Sequence, residues 1–403
     1  MRYGSICSGI EAASEAWHGL GWEPAFVAEV DPFPSAVLMA RLGATRPKRL
    51  LPTDAALDPK ERKTRELWAA ACAKFPEGGS LPNLGDFTKI ERNDYDGDID
   101  LLVGGTPCQS FSIAGLRRGL ADERGNLCLE FARLAYRTGA RVAVWENVPG
   151  VLSSGSGRDF AAFLSLLCGW DVQVPRGGWL NSGIVANAPG CFGVAWRVLD
   201  AQYTRVPEFP GAVPQRRRRV ILVGCLGSWE YPAEVLFDEE LRGGDTPPRR
   251  KAWHTHSGDA EEGDSGAAFP CLPISSMDCL TRLQSDEGCT GIGTDRDPQY
   301  TITKNHHHAV CESSSGPAVV RRLMPVEAER LMGFRDGYTL VPWPPGSGRP
   351  CSDSCRFRAL GNSMCVNVMA WVGHRIQEVE DRRNRQKRRI PSPESCKSPG
   401  RTA

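Results

Sequence analysis

The chain has 403 residues, of which 41% are hydrophobic and 24% are charged, and its formal net charge is +1. This composition excludes a largely disordered chain and a protein that binds nucleic acid through overall basic charge, so any such binding must use local patches. No apolar run approaches the ~20 residues of a membrane helix, and fifteen scattered cysteines behind a non-secretory N-terminus predict a cytoplasmic protein with free thiols.

The first 224 residues alternate between short apolar runs and stretches with helical spacing. The apolar runs end in glycine, proline or polar residues, and they span residues 26–31, 99–105, 142–146 and 220–224. Strands that are apolar on both faces are typical of a buried parallel sheet, whereas residues 130–136 have the spacing of a helix. The pattern predicts an α/β fold with a doubly wound, mostly parallel sheet, whose ligands bind at the carboxyl ends of the strands.

Several segments depart from this alternation. Residues 46–82 include a charged, helix-prone stretch and are interpreted as a surface insertion. Residues 150–190 are rich in glycine and serine, which predicts a long functional loop and a strand. Further along, residues 325–334 are amphipathic and residues 366–379 have the pattern of a helix.

These changes divide the chain into four predicted segments. Residues 1–224 form the first domain, and residues 225–320, which are rich in glycine, aspartate and serine, form a separate, smaller domain. Residues 321–380 are expected to lead the chain back from the second domain and to complete both domains. Residues 381–403 are basic and then rich in proline, serine and glycine, which predicts a frayed helix end followed by a disordered tail.

A cysteine follows one of the predicted strands. Residues 104–112 read Gly-Gly-Thr-Pro-Cys-Gln-Ser-Phe-Ser, directly after an apolar run. A lone cysteine is most often a small buried apolar residue. Here the paired glycines and the proline indicate a shaped turn, which presents Cys108 at the end of a strand as a nucleophile.

A glutamate ends the next apolar run along the chain. Residues 145–149 read Trp-Glu-Asn-Val-Pro, which places Glu146 at the same edge of the predicted sheet as Cys108. A single glutamate in this position is more often a cap or an ion-pair partner. Beside a candidate nucleophile it becomes a candidate acid.

Four consecutive arginines enter the last apolar strand of the first domain. Side chains alternate along a strand, so Arg217 and Arg219 share a face with Gln215, while Arg216 and Arg218 share the opposite face. A solvated basic run is the simpler interpretation. The alternation also allows one pair to face an anionic pocket while the other pair contacts phosphate.

The N-terminal strand leads into a turn that contains Ser8 and Gly9, and the second strand ends near Glu29. A glycine-containing turn followed by an acidic residue on the next strand is typical of nucleotide and adenosylmethionine sites, where the carboxylate binds the ribose hydroxyls.

Taken in order, these motifs resemble those of the cytosine-5 DNA methyltransferases, especially the compact enzymes of phage and prophage. The resemblance extends to Asp86, to residues 122–127, to residues 330–334 and to residues 361–363. The chain departs from the family in the first motif, where the usual Phe-x-Gly-x-Gly is replaced by residues 7–11, Cys-Ser-Gly-Ile-Glu.

The resemblance implies three groups of site residues. The catalytic residues are Cys108, Glu146, Arg217 and Arg219. The residues that bind S-adenosyl-L-methionine are Cys7, Ser8, Gly9, Ile10, Glu29, Val30, Asp86, Phe87, Gly105, Pro107, Leu127, Asn362 and Ser363. The residues that bind the target base are Gln109, Ser110, Asn147 and Gln215, and no metal is expected.

The implied activity is that of a DNA (cytosine-5)-methyltransferase. Cys108 adds to carbon 6 of a flipped cytosine, protonated Glu146 donates to ring nitrogen 3, and Arg217 or Arg219 holds the ring oxygen. Residues 109–119 are expected to close over the base, and residues 225–320 to recognise a target in double-stranded DNA. The implied setting is a monomer on bacterial nucleoid DNA, with or without a cognate restriction endonuclease.

Other functions stay open at this point. An amino-directed DNA methyltransferase needs no thiol and carries an (Asp/Asn/Ser)-Pro-Pro-(Tyr/Phe) loop, where this chain has Thr-Pro-Cys-Gln. A transfer-RNA methyltransferase uses the same cysteine chemistry. A catalytically inactive DNA-binding regulator is disfavoured by the intact Cys108, Glu146 and Arg217. Clustered histidines and cysteines between residues 254 and 311 allow a zinc site, but no pair has Cys-x-x-Cys spacing.

Overall fold

The computed structural model describes residues 1–54, 57–107, 127–237, 271–274, 309–312 and 319–389. Within this part of the chain, seven strands form one sheet. They are β1 (Arg2–Ile6), β2 (Glu23–Ala28), β3 (Leu101–Gly104), β4 (Val142–Asn147), β5 (Ser182–Val185), β6 (Phe192–Asp200) and β7 (Arg218–Leu226). Their order in the sheet is β2-β1-β3-β4-β7-β6-β5.

The described residues also form α-helices before, between and after the strands of this sheet. They are α1 (Ala12–Trp17), α2 (Pro32–Leu42), α3 (Pro59–Cys72), α4 (Leu127–Thr138), α5 (Arg158–Cys168), α6 (Glu230–Phe237), α7 (Pro325–Leu331), α8 (Asp353–Asn362) and α9 (Val366–Arg389). Three short strands form a separate antiparallel sheet, β8 (Cys271–Ile274), β9 (Ala309–Glu312) and β10 (Val319–Arg322). No described helix is long and apolar enough to cross a membrane.

The large sheet has a hydrophobic core on each face. Trp17 of α1 and Ile376 of α9 lie in one core, and Phe131 of α4 and Phe163 of α5 lie in the other. Neighbouring residues of β4 alternate between the two, since Val144 belongs to the first core and Trp145 to the second. Burial on both faces explains the nearly continuous apolar strands. The predicted α/β fold with helices on both faces of the sheet is confirmed.

The direction of β7 differs from the prediction that its apolar run belongs to a parallel sheet. β1, β2, β3 and β4 pair in parallel, but β7 is antiparallel to β4, with Glu146 opposite Ile221 and Asn147 opposite Val220. The start of β7 therefore lies at the edge where β3 and β4 end. A parallel β7 would have placed its arginines at the opposite edge, about 20 Å away for strands of this length.

Two further predictions are corrected. Residues 150–190 contain β5, as expected, but also α5, which buries Phe160, Phe163, Leu164 and Leu167 at helical spacing. Residues 381–389, predicted as a frayed helix end, instead continue α9 as regular helix, where Arg383 forms an ion pair with Glu234 at 2.8 Å. Lysine, arginine and glutamine are good helix formers, so a charged run continues a helix readily.

The predicted insertion at residues 46–82 carries α3, a largely exposed helix. Downstream of β7, α6 packs against β6, β7 and α9. Residues 238–270, 275–308, 313–318 and 390–403 lie outside the described part of the chain, and the four-segment division stays a prediction.

Candidate active site

The turn after β1 is built from residues that adopt positive φ angles. Cys7 has φ 47°, Gly9 φ 55° and Glu11 φ 63°. The Ser8 N–H donates to the Ala28 carbonyl at 3.2 Å, which fixes the turn to the end of β2. Burial raises the pKa of the Cys7 thiol well above its ordinary value, so this thiol stays protonated and acts as a small apolar group. Ile10 is buried beneath the turn.

Glu29 directly follows β2 and is held by main-chain donors. Its Oε2 accepts from the Gly9 N–H at 2.8 Å, and its Oε1 accepts from the N–H groups of Val30 (2.8 Å) and Asp31 (2.7 Å). Burial raises the pKa of Glu29 to about 7, and the neighbouring Asp31 carboxylate acts in the same direction. A carboxylate offers about four lone-pair sites, so Glu29 retains the capacity to accept from a ligand hydroxyl.

Asn83 connects Glu29 to the loop that carries Asp86. Its Oδ1 accepts from the N–H of Glu29 at 3.0 Å and from the N–H of Gly85 at 3.1 Å. Asp86 is buried, and its Oδ1 accepts from the Thr88 N–H at 3.0 Å and from the Thr88 hydroxyl at 2.7 Å. Phe87 is also buried. Asn83 was missed from the sequence, although it stands three residues before Asp86.

The described chain approaches Cys108 through Gly105, Thr106 and Pro107. Cys108, Gln109 and Ser110, together with residues 111–126, lie outside the described residues. Thr106 is held from two sides, because its Oγ1 accepts from Trp145 Nε1 at 3.1 Å and lies 2.7 Å from Cys128 Sγ. The described chain resumes at Leu127, the first residue of α4.

Asn147 also fixes this turn. Its Nδ2 donates to the Thr106 carbonyl at 2.9 Å, and its Oδ1 accepts from the Val148 N–H at 2.9 Å. The sequence predicted that Asn147 binds the target base, whereas its bonds in the structure are to the protein. The end of β4 therefore positions the turn that leads into Cys108.

Glu146 and Arg219 form an ion pair at the carboxyl edge of the sheet. Arg219 Nε lies 3.0 Å from Glu146 Oε1, and about one seventh of each side chain is exposed. The pairing follows from the antiparallel β7, which brings Arg219 beside Asn147 and Glu146. Partial burial strengthens the attraction between the two charges. The ion pair in turn fixes the Glu146 carboxyl group at the carboxyl edge of the sheet.

Arg217 is turned inward and connects β7 to the C-terminal part of the chain. Its side-chain Nη2 donates to the carbonyls of Ser363 at 2.5 Å and Gly361 at 3.2 Å. Its main-chain N–H donates to Asp200 Oδ1 at 2.9 Å. Burial lowers the pKa of Arg217 to about 10. The guanidinium stays charged at neutral pH and anchors the segment that carries Asn362.

The predicted alternation of side chains before and along β7 is confirmed. Gln215 and Arg217 are buried, whereas Arg216 and Arg218 are exposed. The Gln215 amide is fully buried, and neither its Oε1 nor its Nε2 has a hydrogen-bond partner. A buried amide without partners is costly, so this side chain is suited to bind a polar ligand.

A cleft at this edge is lined by residues from distant parts of the chain. Its lining combines the turn after β1, Gly105, Glu146 and residues 362–364. A Cβ at Gly105 would lie 3.1 Å from Met364 Cε and 3.2 Å from Glu146 Oε2, so a larger residue here requires these side chains to shift by a few tenths of an ångström. Asn362 and Ser363 thus reach the site from the far end of the chain, as the resemblance implied.

The geometry also includes residues that the motifs did not indicate. Ser5, Glu11 and Met364 line the cleft, and Thr106 braces the turn before Cys108. Glu11 carried a signal in the sequence, because it replaces a glycine of the family pattern. Among the described residues, no group of three or more His, Cys, Asp or Glu side chains could hold a metal ion. Most of the histidines and cysteines of the possible zinc site lie outside them.

Parts of the chain are similar in sequence to known DNA methyltransferases. Residues 64–243 match the family model described as C-5 cytosine-specific DNA methylase. The chain is 33% identical, over an alignment of 506 residues, to a protein of Escherichia phage P1 named DNA N-6-adenine-methyltransferase, covering 94% of this chain and 61% of that relative. It is 26% identical over 330 residues to the Type II methyltransferase M.HpaII of Haemophilus parainfluenzae, covering 74% of this chain and 78% of the relative.

A solved structure supports the fold. The S. pombe Dnmt2 methyltransferase matches 94% of this chain and 99% of its own with a TM-score of 0.50 and 15% sequence identity. The chain spans about three fifths of the phage P1 relative, and two fifths of that relative lie outside the match. In its motifs, its fold and its sequence over residues 64–243, the chain is similar to the C-5 cytosine-specific DNA methylase family.

Proposed function

We propose that this chain transfers a methyl group from S-adenosylmethionine to carbon 5 of a flipped cytosine in a specific sequence of double-stranded DNA. The observation that carries the proposal is the ion pair between Glu146 and Arg219, at the sheet edge where the Thr106–Pro107 turn leads into Cys108. A cleft joins this pair to the turn after β1. An acid, a cation and a thiol at one edge are the groups that cytosine needs for attack at carbon 6.

The described residues fit the cofactor of this family. Glu29 keeps lone pairs for the ribose hydroxyls, and the buried Asp86 is available to the adenine amino group. Ser363 and Glu146, which line the cleft beyond them, are the residues that would hold the sulfonium and the amino-acid end. When bound there, S-adenosylmethionine supplies the methyl group.

The protein groups carry the steps on the base. Glu146 first takes up a proton from solvent. The Cys108 thiolate then forms a bond to carbon 6, and the displaced ring electrons make carbon 5 nucleophilic as Glu146 donates this proton to nitrogen 3. Arg219 stabilises the Glu146 carboxylate that this proton transfer leaves. After methylation a base removes the proton at carbon 5, the bond to Cys108 breaks, and Glu146 recovers its proton.

Recognition of DNA is assigned to other parts of the chain. The cytosine must leave the stack to reach Glu146, at a cost of a few kcal/mol. Arg216 and Arg218 are exposed beside the buried Arg217 in the chain, and their charges are suited to bind phosphates. Residues 225–320 are proposed to read the target sequence. One active site suffices for the reaction, so we propose that the chain acts as a monomer.

The name of the phage P1 relative favours a second candidate function, methylation of adenine at N6. Two observations weigh against this alternative. The part of that relative outside the match is large enough to hold a separate activity, and the turn after β3 reads Thr-Pro-Cys, with no acidic or amide residue before Pro107. Attack by an exocyclic nitrogen needs no thiol, so this activity would not depend on Cys108.

Mass spectrometry of nucleosides tests both candidates. Unmethylated DNA is incubated with S-adenosylmethionine and the wild type, the Cys108→Ala variant, or the Cys355→Ala variant as a control for loss of a thiol outside the site. We expect 5-methylcytosine from the wild type and from Cys355→Ala, and none from Cys108→Ala. N6-methyladenine that persists in Cys108→Ala would establish the second candidate. Product on transfer RNA alone, or no product, would overturn the assignment of DNA as the substrate.

A further inference from the structure

Glu11 is an acidic residue inside the cleft that the proposed reaction does not use. It lines the cleft together with Ser5 and Gly105, and only about 1% of it is exposed. Its Oε2 accepts from the Ser5 hydroxyl at 2.7 Å, and its Oε1 accepts from the Ser14 hydroxyl at 3.2 Å. The carboxyl group is therefore held in one orientation by β1 and α1.

The backbone at this position favours glycine over glutamate. Glu11 has φ 63° and ψ 62°, in the left-handed region, where a Cβ costs about 1–2 kcal/mol. The described residues include three other non-glycine residues with positive φ, and one of them, Cys7, lies in the same turn. Strain of this kind persists where the side chain has a function.

The negative charge of Glu11 is not balanced by a cationic side chain among its described partners. Its described partners are hydroxyl and main-chain groups, and no arginine or lysine is among them. Burial raises the pKa of Glu11 to about 7. A glutamine would bond both serines without the cost of burying a charge, so the carboxylate is suited to a cation that enters the cleft.

The position of the cleft indicates which cation this is. Glu29 and Asp86 lie outside its lining, whereas Glu11 and Glu146 both line it. A cofactor that extends from Glu29 to Glu146 would place its amino-acid end between them, next to Glu11. The sulfonium has no hydrogen to donate, whereas the ammonium has three N–H donors. Resting on the proposed function, we propose that Glu11 binds the ammonium group of the amino-acid end of S-adenosylmethionine.

Binding of three ligands by titration calorimetry tests this assignment. S-adenosylhomocysteine carries the ammonium and the carboxylate, its desamino analogue carries the carboxylate alone, and 5′-methylthioadenosine lacks the whole amino-acid end. At about pH 7.5 the ammonium is mostly protonated. We expect the wild type to bind S-adenosylhomocysteine about tenfold more tightly than the desamino analogue. In Glu11→Gln this preference should fall below about twofold, with the affinity for methylthioadenosine unchanged.

Two further variants secure the interpretation. Glu11→Gly removes the carboxylate and relieves the positive φ, so it should fold and also lose the preference for the ammonium. Glu15→Gln removes a carboxylate one helical turn away, outside the cleft lining, and should keep the preference of the wild type.

The result separates the inference from the function on which it rests. A preference that survives in Glu11→Gln and Glu11→Gly would overturn the role of Glu11 while leaving the proposed function intact. An equal loss of affinity for all three ligands would also overturn it, because Glu11 would then act only on the shape of the turn. A wild type that binds none of the three would overturn the proposed function as well.

Discussion

Glu29 and Glu146 lie at the same edge of one sheet, but the protein holds them with different partners. Glu29 accepts three main-chain N–H bonds, and its described partners include no arginine or lysine. Glu146 forms an ion pair with Arg219 at 3.0 Å. The half of the edge at β1 and β2 therefore presents acids whose charge is not neutralised, and the half at β4 and β7 presents an acid beside a cation.

The difference matches what each half is proposed to meet. Main-chain donors orient a carboxylate without cancelling its formal charge, which suits a cofactor that carries a sulfonium and an ammonium. An arginine beside Glu146 limits repulsion between the acid and DNA, and it stabilises the carboxylate that remains after proton donation. One edge can thus present acids both to a cation and to a base attached to an anionic polymer.

The largest difference between the two halves is expected when each acid is replaced by its amide and the turnover rate and cofactor affinity are compared. For Glu146→Gln we expect the single-turnover rate at saturating cofactor to fall about 10²–10⁴-fold, because the proton donor is lost. The folded structure should persist, since an amide oxygen still accepts from Arg219. For Glu29→Gln we expect weaker cofactor binding and a nearly unchanged rate at saturation.

Calorimetry with S-adenosylhomocysteine and rapid-quench assays on one DNA duplex measure the two effects. Glu15→Gln is the control for loss of a carboxylate outside the site. If Glu146→Gln instead weakened cofactor binding without slowing turnover, the division between the two halves would be wrong.

The second prediction concerns the buried arginine of the β7 half. Arg217→Met removes the donor to the carbonyls of Gly361, which is partly buried, and Ser363, which is buried. We expect the free energy of unfolding to fall by about 3–5 kcal/mol. Arg218→Met, at an exposed position on the opposite face, should cost less than about 0.5 kcal/mol. Urea unfolding measures both, and equal losses would show that Arg217 is not the anchor.

The sequence predicted which strand ends form the edge, but not the direction in which β7 approaches it. Strand ends mark where side chains meet, so Cys108, Glu146 and Glu29 could be assigned to one edge without coordinates. The direction of β7 could not be assigned, because an apolar strand buried on both faces reads the same in either direction. That direction decides which acid Arg219 contacts, and the sequence left Arg217 and Arg219 interchangeable.

Other features depend on contacts that no local pattern encodes. Asn83 was missed because its function is to accept from the main-chain N–H groups of Glu29, which is distant in sequence, and of Gly85 in its own loop. α5 was hidden by the glycines and serines that surround it, although its buried phenylalanines and leucines have helical spacing. The backbone strain at Glu11 was visible only as a departure from the family pattern, because φ angles cannot be assigned from one residue type.

The third prediction uses pH to probe the half at β1 and β2. The pKa of Glu11 is raised from 4.5 to about 7 by burial, so the folded state binds more protons than the unfolded state between these values. The free energy of unfolding should therefore fall as pH rises from about 4.5 to about 7, and Glu29 acts in the same direction. One pKa unit is ~1.4 kcal/mol, which gives about 3 kcal/mol for Glu11.

Glu11→Gln should remove this contribution. We expect the variant to match the wild type near pH 4.5 and to be more stable near pH 8 by up to about 3 kcal/mol. Urea titrations across this range measure the difference, with Glu15→Gln as the control. A difference that is the same at both pH values would mean that Glu11 bears no charge penalty in the folded state.

The smallest effect is expected at Thr106, which links the ion-pair half to the turn before Cys108. Thr106→Val preserves shape but removes the oxygen that accepts from Trp145 Nε1 and contacts Cys128 Sγ. We expect a loss of about 1 kcal/mol in unfolding free energy and a lower turnover rate, with unchanged affinity for S-adenosylhomocysteine. Thr106→Ser retains the hydroxyl and should restore turnover. If Thr106→Val lowered cofactor affinity and turnover together, Thr106 would support the whole edge, and the two halves would not be independent.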